Sequence, residues 1–275
     1  MRRVLLERLT EPLHLNLLAL GVAAFGSLRQ RVNFDLLVRQ YNAYSILSAA
    51  DRAIDYGQKS ITIVEFGVAA GAGLINMCEI AQRVTKATGV AIRVIGFDSG
   101  TGMPPPQGFR DHPEYYQEGD FPMNHAALRA KLPPNGELIL GQLQDTIAEF
   151  RDHRLEASAP IAYVVIDVDY YSSTVDALKL FDGRAELYLP LTLLYLDDTS
   201  LEHHNPFAGE ELAVREFNDA HPYRKALRHD FLESSRIFRR APWLKQIYFM
   251  HIMDHPIRTY GVNRATPIVL QNPYL

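Results

Sequence analysis

A glycine-rich turn between an apolar strand and a helix constrains this chain more than any other feature. The segment 61–78 reads ITIVEFGVAAGAGLINMC: an apolar run ends in Glu65, Gly67, Gly71 and Gly73 follow, and a helical pattern begins directly after them. Glycines let the backbone approach a ligand closely, and the acid can accept hydrogen bonds from a ribose or an amino group. The segment therefore predicts a site for a nucleotide-like ligand in an α/β sheet.

The spacing of these glycines separates two classes of cofactor. A dinucleotide-binding turn has the pattern G-x-G-x-x-G. Here the pattern is G-x-x-x-G-x-G, and Glu65 stands two residues before the first glycine. This spacing favours S-adenosylmethionine over NAD.

Four later apolar runs also end in acids or amides. VAIRVIGFD ends in Asp98, whose carboxylate can accept hydrogen bonds from both ribose hydroxyls. The other runs are ELILGQLQD, PIAYVVIDVD and LPLTLLYLDD, which close with Gln144 and Asp145, with Asp167 and Asp169, and with Asp197 and Asp198. Ligands of open α/β sheets bind outside the carboxyl ends of the strands. We therefore expect these side chains to form one site.

Composition and charge indicate a compact enzyme in a reducing compartment, the cytoplasm. The chain has 275 residues, is 47% hydrophobic and carries a net charge of -4, which gives no general attraction to nucleic acid. Arginines and lysines at 224–245 could contact RNA, but interspersed acids and the strand-like KQIYFMHIM favour an ordinary solvated face. The single cysteine, Cys78, can form no internal disulfide and is expected to be a buried thiol.

The chain divides into an N-terminal helical extension, residues 1–58, and an α/β domain, residues 59–275. Within the extension, the apolar stretch 13–26 is too short to span a membrane and is expected to cover another surface, on the same subunit or in a homo-oligomer. Residues 34–57 have apolar residues at helical spacing and predict a helix that leads into the first strand. The insertion at about 103–125 is rich in proline and tyrosine, which predicts a long loop acting as a lid.

Several motifs of the chain, taken together, resemble the macrocin O-methyltransferase (TylF/MycF) family. The matching segments are VEFGVAAGAG, FDSGTGMP, GQLQDTI, IDVDYYSSTVDAL and LDDTSLEHHNPFAGEELAVREF. The family comprises metal-dependent class I methyltransferases that modify sugar hydroxyls of natural products. The resemblance implies a Rossmann-like fold with a mostly parallel seven-stranded sheet flanked by helices, S-adenosylmethionine as methyl donor, and Mg²⁺ or another divalent cation.

Residue roles follow from the chemistry of the strand ends. We expect the cofactor to be bound by Glu65, Gly67, Gly71, Gly73, Asp98, Ser99, Gln144, Asp145 and Asp167. The metal ligands are predicted to be Asp167, Asp197 and Asp198, because Mg²⁺ prefers oxygen ligands, and Asp169 is an additional ligand or a neighbour of one. Helix capping could account for one acid at a strand end, but hardly for four.

A base is also expected, because methyl transfer to an alcohol releases a proton. His203 and His204 follow the aspartate pair on a loop bordering the same pocket, and Asp167 is the third residue with a predicted catalytic role. His112, in the lid, is a weaker alternative. Histidines on loops are also commonly exposed and inert.

Three functional hypotheses remain at this stage. The first is methylation of a hydroxyl of a small molecule, such as a sugar of a natural product. The second is methylation of another acceptor, for instance a catechol or an amine. The third is a cofactor-binding partner protein without turnover.

Overall fold

One seven-stranded sheet organises the computed structural model, which describes residues 10–200, 205–260 and 269–273. The strands are β1 (Ser60–Phe66), β2 (Ala91–Asp98), β3 (Gly136–Leu140), β4 (Ile161–Ile166), β5 (Tyr188–Leu196), β6 (Arg224–Arg228) and β7 (Ile247–Ile252). Their order is β3-β2-β1-β4-β5-β7-β6, and β7 runs antiparallel to both neighbours while the first five strands pair in parallel. The predicted α/β fold with a mostly parallel seven-stranded sheet is confirmed.

Helices cover both faces of the sheet. They are α1 (Leu13–Phe25), α2 (Leu28–Asn33), α3 (Gln40–Asp55), α4 (Ala72–Thr88), α5 (His125–Lys131), α6 (Leu143–His153), α7 (Tyr171–Leu178), α8 (Gly209–Ala220), α9 (Leu232–Ser235) and α10 (Ile257–Tyr260). Apolar residues of α3 and α4 pack with one face, and those of α6, α7 and α8 pack with the other. The central strands are buried on both sides because parallel sheets expose neither face to water.

The helix predicted over 34–57 begins later than the sequence pattern indicates. Helix α3 starts at Gln40, because Asp35 and Arg39 adopt positive φ angles of 51° and 54° that no right-handed helix accommodates. Once started, α3 buries Ile46 and Ala50 against α4 and the sheet. The second half of the N-terminal extension is thus part of the helical layer over the sheet.

The third predicted strand is also shorter than its apolar run. β3 ends at Leu140, and Gly141 turns the chain with a φ of 143°, a backbone conformation that glycine readily adopts. Gln144 and Asp145 therefore lie in the first turn of α6 and do not close a strand, and both are exposed.

Helix α1 leaves most of its apolar side chains in solvent. Leu13, Leu20 and Phe25 are 74%, 68% and 93% exposed, and Ala19 is the residue of this helix that is buried. Across the residues that the structure describes, no helix combines the length and hydropathy needed to cross a membrane. Cys78, on α4, is fully buried, as its position in the sequence indicates.

Candidate functional site

Backbone hydrogen bonds align the residues that follow the central strands. The N–H of Gly67 donates to a carbonyl near the end of β2 at 3.0 Å, and that of Asp167 donates to the last carbonyl of β1 at 3.0 Å. The N–H of Asp197 donates to the last carbonyl of β4 at 3.1 Å. The three residues consequently lie side by side at the carboxyl edge of the sheet.

A cavity of about 760 Å³ opens at this edge. Its volume lies in the range of small-molecule sites. The predicted site residues on its wall are Glu65, Gly67, Gly73, Asp98, Ser99, Gln144, Asp167, Asp169 and Asp197. Gly71, Asp145 and Asp198, also predicted to be site residues, are not on this wall. A side chain at Gly71 would meet Leu128 of α5, so this glycine allows close packing of α5.

Asp98 holds the glycine-rich turn in place. Its Oδ2 accepts hydrogen bonds from the backbone N–H groups of Val68 and Ala69 at 2.9 and 2.8 Å, and its Oδ1 accepts one from Gly100 at 2.7 Å. A carboxylate has about four lone-pair sites, so these three hydrogen bonds leave one site, on Oδ1, for a single ribose hydroxyl and not for the two expected from the sequence. The residue therefore has an architectural role beside its predicted contact with the cofactor.

Glu65 packs its carboxyl group against the start of α4. A β-carbon on Gly73 would lie 2.0 Å from Oε1 of Glu65, so a side chain at this position would displace the carboxyl group. Glu65 is 3% exposed, and its Oε2 has no hydrogen-bond partner among the described residues. Burial, and secondarily the charge of Asp98, raise the pKa of Glu65 to about 8, whereas Arg39 opposes the rise.

The aspartates after β4 and β5 raise one another's pKa. Burial raises the pKa of Asp167 well above its usual value, and Asp197, then Asp198, raise it further. The pKa of Asp198 is raised to about 8 by burial and by the charges of Asp169 and Asp197. Such mutual shifts arise because carboxylates close together disfavour each other's ionisation. A cation bound among them would relieve this repulsion.

The three predicted metal ligands differ in their immediate surroundings. Asp197 lies on the cavity wall, where Oδ1 accepts a hydrogen bond from the Tyr195 hydroxyl at 2.7 Å. Asp198 is buried: its carboxylate accepts a hydrogen bond from the backbone N–H of Asp169, and its own N–H donates to Glu210 at 3.1 Å. In the described ranges, no group of three or more His, Cys, Asp or Glu side chains is arranged as a metal-binding cluster.

The lid segment, residues 103–125, is irregular apart from a short turn at Phe109–Asp111 and α5, which starts at its end. Asp111 is 1% exposed and accepts hydrogen bonds from the N–H and hydroxyl of Ser172, at 2.8 and 2.9 Å, at the start of α7. Tyr116 donates its hydroxyl to Asp169, which lowers the pKa of that carboxyl against the larger effect of burial. The predicted lid therefore contacts the aspartate-rich edge of the cavity directly.

The histidines predicted as bases are only partly placed by the structure. His203 and His204 lie outside the described residues. His112 is 4% exposed, and its Nδ1 lies 3.3 Å from Oε1 of Glu114 within the lid. It is absent from the cavity wall.

Other polar residues on the wall escaped the sequence analysis. They are Arg39, Gln107, Asp120, Gln142, Ser172, Ser173 and Asp176. Asp176 and the serines belong to the matched segment after β4 and could have been found from it. Arg39 carries no local signal, since it lies in the irregular chain before α3.

Comparison with known proteins finds solved structures of similar fold. No protein-family model and no curated protein matches the sequence. Among solved structures, CalS11, a calicheamicin methyltransferase, is similar with a TM-score of 0.50 and 20% identity, over 66% of this chain and 72% of that chain.

Two further solved structures are more distant. MNMC2 from Aquifex aeolicus has a TM-score of 0.39 and 15% identity, over 75% of this chain and 56% of that chain. MycE, a methyltransferase from the mycinamycin biosynthetic pathway in complex with Mg and SAH, has a TM-score of 0.36 and 14% identity, over 74% and 48%. The similarity to CalS11 shows that this chain shares the Rossmann-like α/β fold of that protein.

Proposed function

We propose that this protein is an S-adenosylmethionine-dependent and Mg²⁺-dependent O-methyltransferase acting on a hydroxyl of a small molecule, such as a sugar of a natural product. The observation that carries the proposal is one cavity in which the glycine-rich turn, Glu65 and Asp98 adjoin Asp167 and Asp197. We call the part of the wall formed by the glycine-rich turn, Glu65 and Asp98 the cofactor half, and the part formed by Asp167 and Asp197 the acidic half. The fold shared with a calicheamicin methyltransferase supports methyl transfer to a natural product.

The cofactor half of the cavity suits an adenosyl amino acid. Gly67 and Gly73 line the cavity, and Asp98 retains one lone-pair site for a ribose hydroxyl. Glu65 is an acceptor for the ammonium group of the cofactor. Gln144 lies on the wall at the start of α6, where its amide suits the edge of the adenine.

The acidic half suits a hard divalent cation by the chemistry of its donors. Asp167 and Asp197 line the cavity, and the buried Asp198 lies close enough to raise the pKa of Asp167 although it is not on the wall. These residues would hold Mg²⁺, for which oxygen ligands are preferred. When bound, the ion would lower the pKa of a ligated acceptor hydroxyl and favour the alkoxide. Tyr195 fixes the orientation of Asp197 through its hydrogen bond.

Proton removal from the acceptor is assigned to His203 or His204. Both follow Asp198 within a few residues in the sequence. A positioned base contributes roughly 10²–10⁴-fold to such a reaction. Replacing both histidines by alanine should lower turnover by about this factor while cofactor binding persists. Full activity of that double variant would move the base elsewhere, with His112 next to test.

The metal role is tested by pairing chelation with a substitution. Methyl transfer to a panel of hydroxyl, catechol and amine acceptors should stop in EDTA and return with Mg²⁺ or Mn²⁺. Asp197→Asn should lower turnover by at least tenfold yet change the affinity for S-adenosylhomocysteine by less than about threefold, because it removes charge from the acidic half only. Asp230→Asn, at an exposed position, is the matched control and should leave both turnover and the affinity for S-adenosylhomocysteine unchanged.

The alternatives give different results in the same experiments. Full activity in chelator would refute the metal role, and transfer to a catechol or an amine alone would replace the hydroxyl acceptor. Binding of S-adenosylhomocysteine with no turnover on any acceptor would favour the cofactor-binding partner protein.

We also propose that the protein is a homo-oligomer with α1 at or near the interface. The exposed Leu13, Leu17 and Leu20 form an apolar surface that a second copy would bury. Light scattering should show a dimer or larger species at micromolar concentration. Leu17→Glu combined with Leu20→Glu should shift the protein towards monomer, because a charge in an apolar interface is costly. A wild-type monomer would refute the proposal.

A further inference from the structure

One basic side chain stands out against an acidic background in the cavity. Among the described residues, the wall carries seven carboxylates, those of Glu65, Asp98, Asp120, Asp167, Asp169, Asp176 and Asp197. Arg39 is the one lysine or arginine beside them. A lone cation in such a wall suggests a ligand that brings a negative charge to that point.

The position of Arg39 is fixed by its backbone and by two stacked tyrosines. Its φ of 54° is the left-handed conformation, which costs energy for a residue with a side chain and tends to persist where function requires it. The guanidinium Nη1 donates to the Tyr41 hydroxyl at 2.5 Å. The Tyr41 ring stacks on that of Tyr195, with centroids 3.9 Å apart and planes within 7°.

Glu65 provides the complementary group on the same wall. It is almost fully buried, and its Oε2 has no hydrogen-bond partner among the described residues. The guanidinium of Arg39 is near enough to oppose the rise in the pKa of Glu65, yet the ion pairs of the described residues do not join the two. A ligand lying between them would meet a hydrogen-bond acceptor at one point and a cation at another.

We infer that Arg39 and Glu65 form a clamp for the zwitterionic amino-acid end of the cofactor, in which Arg39 binds the carboxylate and Glu65 binds the ammonium group. The inference rests on the proposed function and adds a cofactor-binding residue outside the motifs. The guanidinium has five N–H donors, of which Tyr41 takes one, and its planar fork matches a carboxylate. Arg39 thereby fixes the cofactor from the N-terminal extension.

Two adenosine ligands separate the clamp from the rest of the site. S-adenosylhomocysteine carries the amino-acid end, whereas 5′-methylthioadenosine keeps the nucleoside and the sulfur but lacks that end. Calorimetry on the full chain would measure both affinities in the wild type, Arg39→Met, Arg39→Lys and the control Arg29→Met, which changes an exposed arginine paired with Asp51. Thermal melting would verify the fold of each variant.

Arg39→Met should weaken S-adenosylhomocysteine about 10- to 100-fold, as expected for a lost charge-assisted contact, and leave 5′-methylthioadenosine within about twofold. The affinity of Arg39→Lys for S-adenosylhomocysteine should lie between those of the wild type and Arg39→Met, because lysine keeps the charge but lacks the planar pair of N–H donors. Tyr41→Phe, which frees the guanidinium without removing it, should reduce the preference for S-adenosylhomocysteine by a few-fold. Should Arg39→Met fail to fold, the calorimetry of Tyr41→Phe decides the question.

The outcomes that contradict the clamp differ from the outcome that contradicts the proposed function. A parallel loss of both ligands in Arg39→Met, or an unchanged preference in Tyr41→Phe, would overturn the clamp while leaving the proposed function standing. Failure of the wild type to bind either ligand would overturn the proposed function, and the clamp with it.

Discussion

Replacement of Gly67 by alanine tests the close approach on which the site depends. Gly67 has a φ of 84°, and a β-carbon on it would lie 1.7 Å from the backbone oxygen of Asp167. The obstacle is backbone at the end of β4 and cannot rotate away like a side chain. Accommodating alanine therefore requires the ends of β1 and β4 to separate by more than about 1 Å, since carbon and oxygen atoms normally approach no closer than roughly 3 Å.

The magnitude follows from two separate penalties. Alanine in the left-handed conformation costs about 1–2 kcal/mol. Forcing extra volume into a packed site costs a further 1–3 kcal/mol, approximately. Gly67→Ala should thus lower the free energy of unfolding by about 2–5 kcal/mol. Because the substitution displaces Asp167, it should also lower the affinity for S-adenosylhomocysteine at least tenfold.

Gly89→Ala is the matched control, because Gly89 has a φ of 80° and nothing lies within 4 Å of its added β-carbon. Gly89→Ala carries the conformational penalty alone. It should lower the free energy of unfolding by about 1–2 kcal/mol and leave the affinity for S-adenosylhomocysteine unchanged. Urea denaturation and calorimetry measure the two quantities. If Gly67→Ala costs no more than Gly89→Ala and binds S-adenosylhomocysteine normally, the close approach has no energetic weight and the reasoning is refuted.

Two further predictions concern buried charges. The pKa of Glu65 is raised to about 8 in the free protein, and a bound ammonium group favours the carboxylate, so the affinity for S-adenosylhomocysteine should rise from pH 6 to 8 and then level off. Glu65→Gln should remove this pH dependence in calorimetry, and an unchanged slope would contradict the assignment. Arg236→Met breaks an ion pair with Asp35 in which both side chains are 5% exposed, and should cost about 3–5 kcal/mol in urea denaturation. The exposed Arg29→Met should cost less than about 1 kcal/mol, and equal costs would show that burial is irrelevant to the pair.

Much of the site could be predicted because its chemistry is local in the chain. Strands of a parallel sheet are buried on both faces, so each is a short apolar run, and the residue after the run falls at the edge where ligands bind. Glu65, Asp98, Asp167 and Asp197 follow that rule and reach one cavity. The run before α6 is the exception: Asp145 follows an apolar run whose strand has already ended at Leu140, so it lies in the helix and not at a strand end.

The sequence by itself determined the apolar runs that become the five parallel strands, the glycine-rich turn and the acidic residues that follow four of these runs, since each depends on a handful of neighbouring residues. Only the tertiary structure showed that Gly71 makes room for Leu128 and that Arg39 enters the cavity. These contacts join segments far apart in the chain, through packing that no local periodicity encodes. Arg39 reaches the site because α3 packs over the sheet and because its own left-handed backbone delays the start of that helix.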